Sequence, residues 1–477
     1  MRRLCEKAVD AALGAGASYA DARLVRRRAQ MVATKNGQVD EISDLDSEGI
    51  GVRVLVDGAW GFACDRRTTE EGARESALRA TAFAKAAPGR HRRSLAPVEG
   101  HEAEYRTPLE RDPFSVSIAD KVALCLQAEE GMRHADVIVR SAFVRAFREH
   151  KVFVSSLGSA IDQELVETGG GIDATASRDG LLQMRSYPSA HGGSSSQAGW
   201  EYVEALDLER EAPRVGEQAA ALLRADECPA ATTTLVLDSD QMVLQVHESI
   251  GHPTELDRVY GTEAAYAGTS FLRPDDLGSL RYGSEVMNVT ADSTTAGGLG
   301  TFGFDDEGVP ARREPIVAAG ILRGFLSSRE TAAQLGHGAG GSMRADGWSR
   351  MPLVRMTNLH LEPGQGSLEE LIAGVDEGVF LETNKSWSID DKRLNFQFGT
   401  QIGWEIKNGR LGRMLRDATY TGVTPEFWAR LDAVAGPEHW QLKGLTNCGK
   451  GQPGQSGHVS HGASPARFRD VRIGVKA

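Results

Sequence analysis

Four short turns constrain what this chain can fold into. Asn36-Gly37, Asp57-Gly58, Ala319-Gly320 and Asn408-Gly409 each interrupt a run of strand-like residues. Asn36-Gly37 is the clearest, because both central positions of a type I′ turn need positive φ. The second lies between GVRVLV and AWGFAC, the third inside EPIVAAGILRGFL (314–326), and the fourth inside NFQFGTQIGWEIKNGRLGRMLRDATYTG (395–422). Each such turn makes its flanking strands antiparallel.

Helical patterns surround these hairpins. Leu4, Ala8, Ala11 and Ala12 recur at helical spacing within 3–15, and 69–87, 116–134 and 201–225 also read as helices. VIVRSAFVRAF (137–147), KVFVSS (151–156) and TTTLVLD (232–238) read as strands. HGGSSSQAG (191–199) is a short break, but the domain boundary is better placed after the next helix, where Cys228-Pro229 disfavours continuation. The expected fold is α+β in two domains. Residues 1–228 form an α+β domain with antiparallel hairpins, and 229–477 a β-rich, antiparallel, barrel-like domain. AGGLGTFG (296–303) and GHGAGGSM (336–343) match neither a phosphate-binding loop nor a dinucleotide fingerprint.

A formal net charge of -12 argues against binding to nucleic acid or anionic lipid. Arg26, Arg27 and Arg28 read as a solvated face. Glu6, Lys7 and Asp10 interrupt the N-terminus, so it lacks the apolar core of a secretory signal. No run of about 18 apolar residues suggests a membrane helix. Cys5, Cys64, Cys125, Cys228 and Cys448 are scattered without a CxxC, which points to a reducing cytoplasm.

Residues 247–252 read HESIGH. They are close to the zinc-protease pattern H-E-x-x-H, with one extra residue between the histidines. Asp238 can cap a helix here, with Gln241 placed as in a capping box. Val243, Val246 and Ile250 fall on one stripe, and His247 borders it. In a regular helix each residue turns about 100°, so histidines at i and i+5 point about 140° apart. The helix must therefore change at Ile250–Gly251. Gly251 is expected to adopt the left-handed conformation, with Pro253 blocking continuation; a wider π-type turn is the alternative. Glu248 is placed to take a proton from water held at a metal. A catalytic zinc needs a third protein ligand, and Glu255, Asp257, His337, His360, Cys448, His458 and His461 are the candidates. Lys450 beside Cys448 favours the metal-binding thiolate. His458 and His461 read as supporting or ordinary loop residues. Asp305, Asp306 and Glu307 are read as holding a turn ahead of lining a cavity.

HESIGH, AGTSFL (267–272), GTFGFDDEGVP (300–310), the hairpin EPIVAAGILRGFL and TNCGKGQPGQ (446–455) together resemble the TldD branch of the TldD/PmbA (TldD/TldE) zinc metalloprotease family. The resemblance covers nearly the whole chain and is strongest over 232–455. It implies that His247, His252 and Cys448 bind Zn2+ and that Glu248 is the catalytic base. It also implies extended or unfolded peptides, including modified-peptide precursors, as substrates. The implied partner is a PmbA/TldE-like paralogous subunit, or a second copy in a homodimer. The tail SGHVSHGASPARFRDVRIG is longer and richer in histidine than is usual in the family. Two other functions stand beside peptidase: a non-catalytic regulatory protein, as in the family's older naming as a gyrase modulator, and a small-molecule metalloamidase.

Overall fold

The computed structural model describes residues 1–87, 93–190 and 193–474. His191 and Gly192, at the start of the glycine- and serine-rich break, lie outside the described residues. The chain is α+β. All four expected turns have positive φ at both central residues: 51° and 79° at Asn36-Gly37, 49° and 82° at Asp57-Gly58, 47° and 76° at Ala319-Gly320, 51° and 71° at Asn408-Gly409. A further turn of this kind, Asp179-Gly180, joins the antiparallel strands Ala160–Arg178 and Leu181–Tyr187.

The first half is built on an eight-stranded sheet. Its centre is a set of long antiparallel strands, Gln38–Val56, Tyr19–Lys35, Val137–Ser155 and Ala160–Arg178. Period-2 alternation gives this sheet two unlike faces. Ala22, Leu24, Val32, Val144, Val152 and Val154 point to one side and pack beneath helices. Arg2–Gly14 and Glu70–Ala86 cover one end of that side, and Ile118–Gly131 and Leu208–Leu222 cover the other. The helix expected over 201–225 is broken in two, Trp200–Ala205 and Leu208–Leu222, because Asp207 adopts a left-handed φ of 49°.

The opposite face carries charge and meets the second half of the chain. Lys151 pairs with Asp306 at 2.6 Å, Arg23 with Asp306 at 3.4 Å, Arg53 with Glu307 at 3.1 Å, and Arg27 with Asp346 at 2.6 Å. Arg27 therefore points inward, whereas Arg26 and Arg28 face solvent as expected. Asp305 holds a turn, accepting from the backbone N–H groups of Glu307, Val309 and Met343. Burial alone would push the Asp306 carboxyl up, but Lys151 and Arg23 outweigh it and hold it down to about 2. An acid held low in the folded state stabilises fully above its ordinary value of 3.8, and that contribution disappears as pH falls toward about 2. The difference in urea-unfolding free energy between the parent and Asp306→Asn is expected to shrink by about 2 kcal/mol over that window.

In the second half, Glu377–Ile389, Ala231–Leu237, Ala466–Ile473, Thr419–Val423 and Asn395–Lys407 pair in turn. The last strand pairs back to the first, closing a five-stranded barrel. A separate six-stranded sheet ends in Asn358–Leu361, Gln455–Ala463 and, at its edge, Gln441–Lys450. Most pairings are antiparallel. Among the described residues four are parallel, including Ala231–Leu237 with Glu377–Ile389 and Asn358–Leu361 with Gln455–Ala463. The helix Ser239–Val246 leaves the barrel strand Ala231–Leu237 and packs against both Glu377–Ile389 and the six-stranded sheet. Met242, Val246 and Ile250 bury its inner stripe in the largest core cluster.

Candidate metal centre

Asp238 caps this helix, its Oδ1 accepting from Gln241 N at 2.8 Å. The reciprocal half of a capping box is absent, because the Asp238 N–H donates to the Leu381 carbonyl at 3.1 Å; the Gln241 amide donates to the Tyr420 hydroxyl. The α-helix ends at Val246, and His247–Gly251 form a π turn. The backbone N–H of His252 donates to the His247 carbonyl, the i+5 bond that defines such a turn. It brings His252 over His247, with ring centroids 4.9 Å apart and planes at 88°. The left-handed glycine expected at 251 is not found: Gly251 has φ -57° and ψ -66°. Glycine is needed there for room, since a Cβ would lie 2.1 Å from Met356 Sδ. Thr254 Oγ1 donates to the Ile250 and Gly251 carbonyls, giving partners to groups the widened turn would leave unpaired.

Cys448 arrives on Gln441–Lys450, with Sγ 3.9 Å from His252 Nε2. One donor atom from each of His247, His252 and Cys448 falls within 4.8 Å of the others, and all three residues are buried. Nδ1 of each histidine is engaged elsewhere, His247 with His461 Nε2 at 2.7 Å and His252 with Glu255 Oε2 at 3.0 Å. This leaves Nε2 of each for the centre, the arrangement in which a neighbouring acceptor orients a ligating imidazole. Burial pushes His247 down, toward the neutral form that binds metal. Burial would raise the Cys448 thiol, but Arg355 and His252 outweigh it and lower it. The expected role of Lys450 in this is corrected: Lys450 turns away to Asp257 and Glu255, and Arg355 supplies the charge beside Cys448.

The other candidate third ligands lie elsewhere. Asp257 binds Lys450 at 2.9 Å. His360 contacts Thr295 Oγ1 at 2.8 Å and accepts from Gly462 N. His337 is exposed beside a different cavity. His458 and His461 are three apart on one strand and so leave opposite faces. His461 supports His247, whereas His458 bonds Glu167 at 2.6 Å beside Phe147.

Glu248 lies at the edge of this cluster, in a cleft of about 240 Å³ that His247, His252 and Cys448 also line. Val243, Leu244, Trp387 and Leu445 give the cleft an apolar wall. Glu248 Oε2 accepts from Arg393 Nη1, an ion pair inside the cleft. Burial would raise the Glu248 carboxyl, but His252, His247 and Arg393 pull it below its ordinary value. The carboxylate is therefore ionised and able to accept a proton.

Three family profiles match the chain: PmbA/TldA metallopeptidase domain 1 over residues 20–84, the central domain over 111–226, and the C-terminal domain over 230–474. A metalloprotease of Methanocaldococcus jannaschii is 30% identical over 94% of this chain and 95% of its own length. The chain belongs to the PmbA/TldD metallopeptidase family. A zinc metalloprotease TldD homolog of Saccharolobus solfataricus is 22% identical over 96% of this chain and 97% of its own. Two solved structures share the fold. TldE from Thermococcus kodakarensis has a TM-score of 0.74 at 15% identity, covering 98% of this chain and 99% of that one. A candidate modulator of DNA gyrase from Bacteroides thetaiotaomicron has 0.77 at 16%, covering 99% and 98%.

As a member of the PmbA/TldD family, the chain is a metallopeptidase. The donor set suits that chemistry. Bonds of about 2.0–2.3 Å in a tetrahedral centre place ligand atoms about 3.3–3.6 Å apart, a small contraction from the separations seen. Three protein donors would leave a fourth ligand position for water or substrate. Sequence reasoning missed Arg355 and Arg393. Arg393 stands in the turn after Glu377–Ile389 with φ 61°, a conformation that no local motif announces. Arg355 follows the two-residue strand Leu353–Val354, which has no periodicity to read. No helix among the described residues is long and apolar enough to cross a membrane.

Proposed function

We propose that this chain is a zinc-dependent peptidase of extended or unfolded peptides, with His247, His252 and Cys448 as zinc ligands and Glu248 as general base. The observation that carries the reading is the meeting of two imidazoles and one thiol at a cleft that also holds the Glu248 carboxylate, paired with Arg393. Bound zinc would supply Lewis acidity toward the scissile carbonyl and toward attacking water. Glu248 takes the proton from that water and passes it to the leaving amine. Arg393 keeps the carboxylate ionised and aimed, while Val243, Leu244 and Leu445 exclude bulk water. The cleft borders Leu445, Asn447 and Gly449 on Gln441–Lys450, an edge strand whose backbone groups can pair with an extended substrate.

The partner is a PmbA/TldE-like paralogous subunit or a second copy, and the setting is the cytoplasm. The chain divides into domains at 228/229. The experiment is metal analysis with cleavage of a disordered peptide, alone and with a PmbA-like subunit supplied. One zinc per chain is expected, with cleavage abolished by a chelator and restored by zinc. Zinc without turnover, alongside tight association with a folded target, would instead favour a regulatory role. Hydrolysis of small amides but not peptides would favour an amidase.

A further inference from the structure

We infer that Glu255 and Lys450 act as positioning residues, a buried clasp that fastens the strand of Cys448 to the turn of His252. The inference rests on the reading of His247, His252 and Cys448 as metal ligands, and it names what holds those ligands at bonding distance.

Cys448 and His252 are 196 residues apart in sequence. The strand that brings Cys448 lies at a sheet edge, and its register with Gln455–Ala463 shifts between Leu445 and Cys448. Ladder hydrogen bonds on one side, interrupted beside the ligand, leave the thiol's position under-determined. Arg355 donates to the Cys448 carbonyl and so holds the backbone there, and side chains must hold the face of the strand that carries the thiol.

Cys448 and Lys450 are two apart, so both side chains leave one face of the strand. Cys448 Sγ reaches His252 Nε2 at 3.9 Å. Lys450 Nζ reaches Glu255 Oε2 at 3.2 Å and Asp257 Oδ1 at 2.9 Å. The same Glu255 oxygen contacts His252 Nδ1 at 3.0 Å. A closed ring results: His252, Glu255, Lys450, and back through the strand to Cys448. One carboxylate oxygen thus serves the imidazole and the ammonium together. Glu255 and Lys450 are 0% and 1% exposed. The Glu255 backbone is held by neighbours: Leu256 N donates to Leu326 O at 2.8 Å, and Leu326 N to Thr254 O at 2.9 Å. Glu263 completes the surroundings. It pairs with Arg258 at 2.6 Å and accepts from the backbone N–H of Gly451, the next residue after Lys450.

A buried ammonium is retained only where carboxylates meet it, and such a group is directional where an apolar side chain is not. Second partners of this kind typically change metal affinity by about 10–100-fold when removed.

The test uses the full chain. Zinc dissociation constants of parent, Lys450→Met, Glu255→Gln and the double variant are measured by chelator competition. The thiolate-to-metal absorption of the cobalt-loaded proteins and the melting of the metal-free proteins are recorded in parallel. Each single variant is expected to bind zinc about 10–100-fold more weakly, with a weakened thiolate band in Lys450→Met. The double variant is expected to lose less than the product of the two, because both act through one ring. Dissociation constants within about twofold of the parent would overturn the clasp. So would lowered melting with an unchanged cobalt spectrum, which is what a purely structural pair gives. If Lys450→Met does not fold, Glu255→Gln decides alone. A parent that binds no zinc overturns the metal centre itself, a result distinct from a failed clasp.

Discussion

Glu248→Gln is expected to retain one metal ion per chain and to lose roughly 10²–10⁴ in kcat/KM, the usual share of a general base. Neighbouring residues have separate functions here. His247 and His252 present Nε2 to the centre, and neither needs Glu248 to orient it, since His461 and Glu255 occupy their other nitrogens. Metal retention therefore follows. The amide has the shape of the carboxylate, and its oxygen can still accept from Arg393, so the cleft keeps its form. What it lacks is a lone pair basic enough to take a proton from water. The loss should appear in kcat, with KM little changed. Metal analysis and steady-state cleavage of a disordered peptide check both halves. A variant that cleaves as well as the parent would show that another group moves the proton.

Local chemistry made the hairpins legible. Positive φ at Asn36-Gly37 or Asn408-Gly409 is a property of the two residues themselves, and the strands must then pair as they do. Asp179-Gly180 carried the same signal. The cap at Asp238 was likewise local, and so was part of the stripe: Val246 and Ile250 lie in the core as expected, but Met242 takes the third place there and Val243 lines the cleft. The candidate metal cluster was legible in part: the i, i+5 spacing shows that the helix must change at Ile250–Gly251, but the change is the alternative π turn and not the left-handed glycine expected first. The charge environment was not. Lys450 neighbours Cys448 in sequence, yet the ammonium is drawn to Asp257 and Glu255, and Arg355 arrives from 93 residues away. Arg393 reaches Glu248 across 145 residues. Such contacts depend on how the barrel and the six-stranded sheet close around the helix, which no window of sequence encodes. The break at Asp207 was hidden differently: 201–225 has helical periodicity on both sides, and a single left-handed residue interrupts it.

Gly251 decides between two accounts of the turn, and its replacement is expected to have a large effect for a reason the sequence did not show. Had the residue been left-handed, alanine would strain the backbone, and no change elsewhere would relieve it. The backbone is instead right-handed, at φ -57° and ψ -66°, a region alanine adopts freely. The obstacle is Met356, fully buried, with Sδ 2.1 Å from where the new Cβ would sit. Ordinary contact between such atoms needs more than an ångström of further separation, and the packed core around Met356 resists it. The methionine side chain is flexible but fully buried, so part of the displacement falls on the π turn, carrying His252 away from His247 and Cys448. Gly251→Ala is therefore expected to lower stability by about 1–3 kcal/mol and kcat/KM by roughly 10²-fold, the scale of a 1 Å misplacement at a reacting centre. Gly251→Ala combined with Met356→Ala is expected to recover about tenfold or more of that activity, measured below the melting transitions of both variants. Recovery means the two substitutions are coupled, as residues competing for one space must be. A double variant no better than Gly251→Ala alone would place the constraint in the backbone after all, and the account of why HESIGH can close would have to return to the conformation of its glycine.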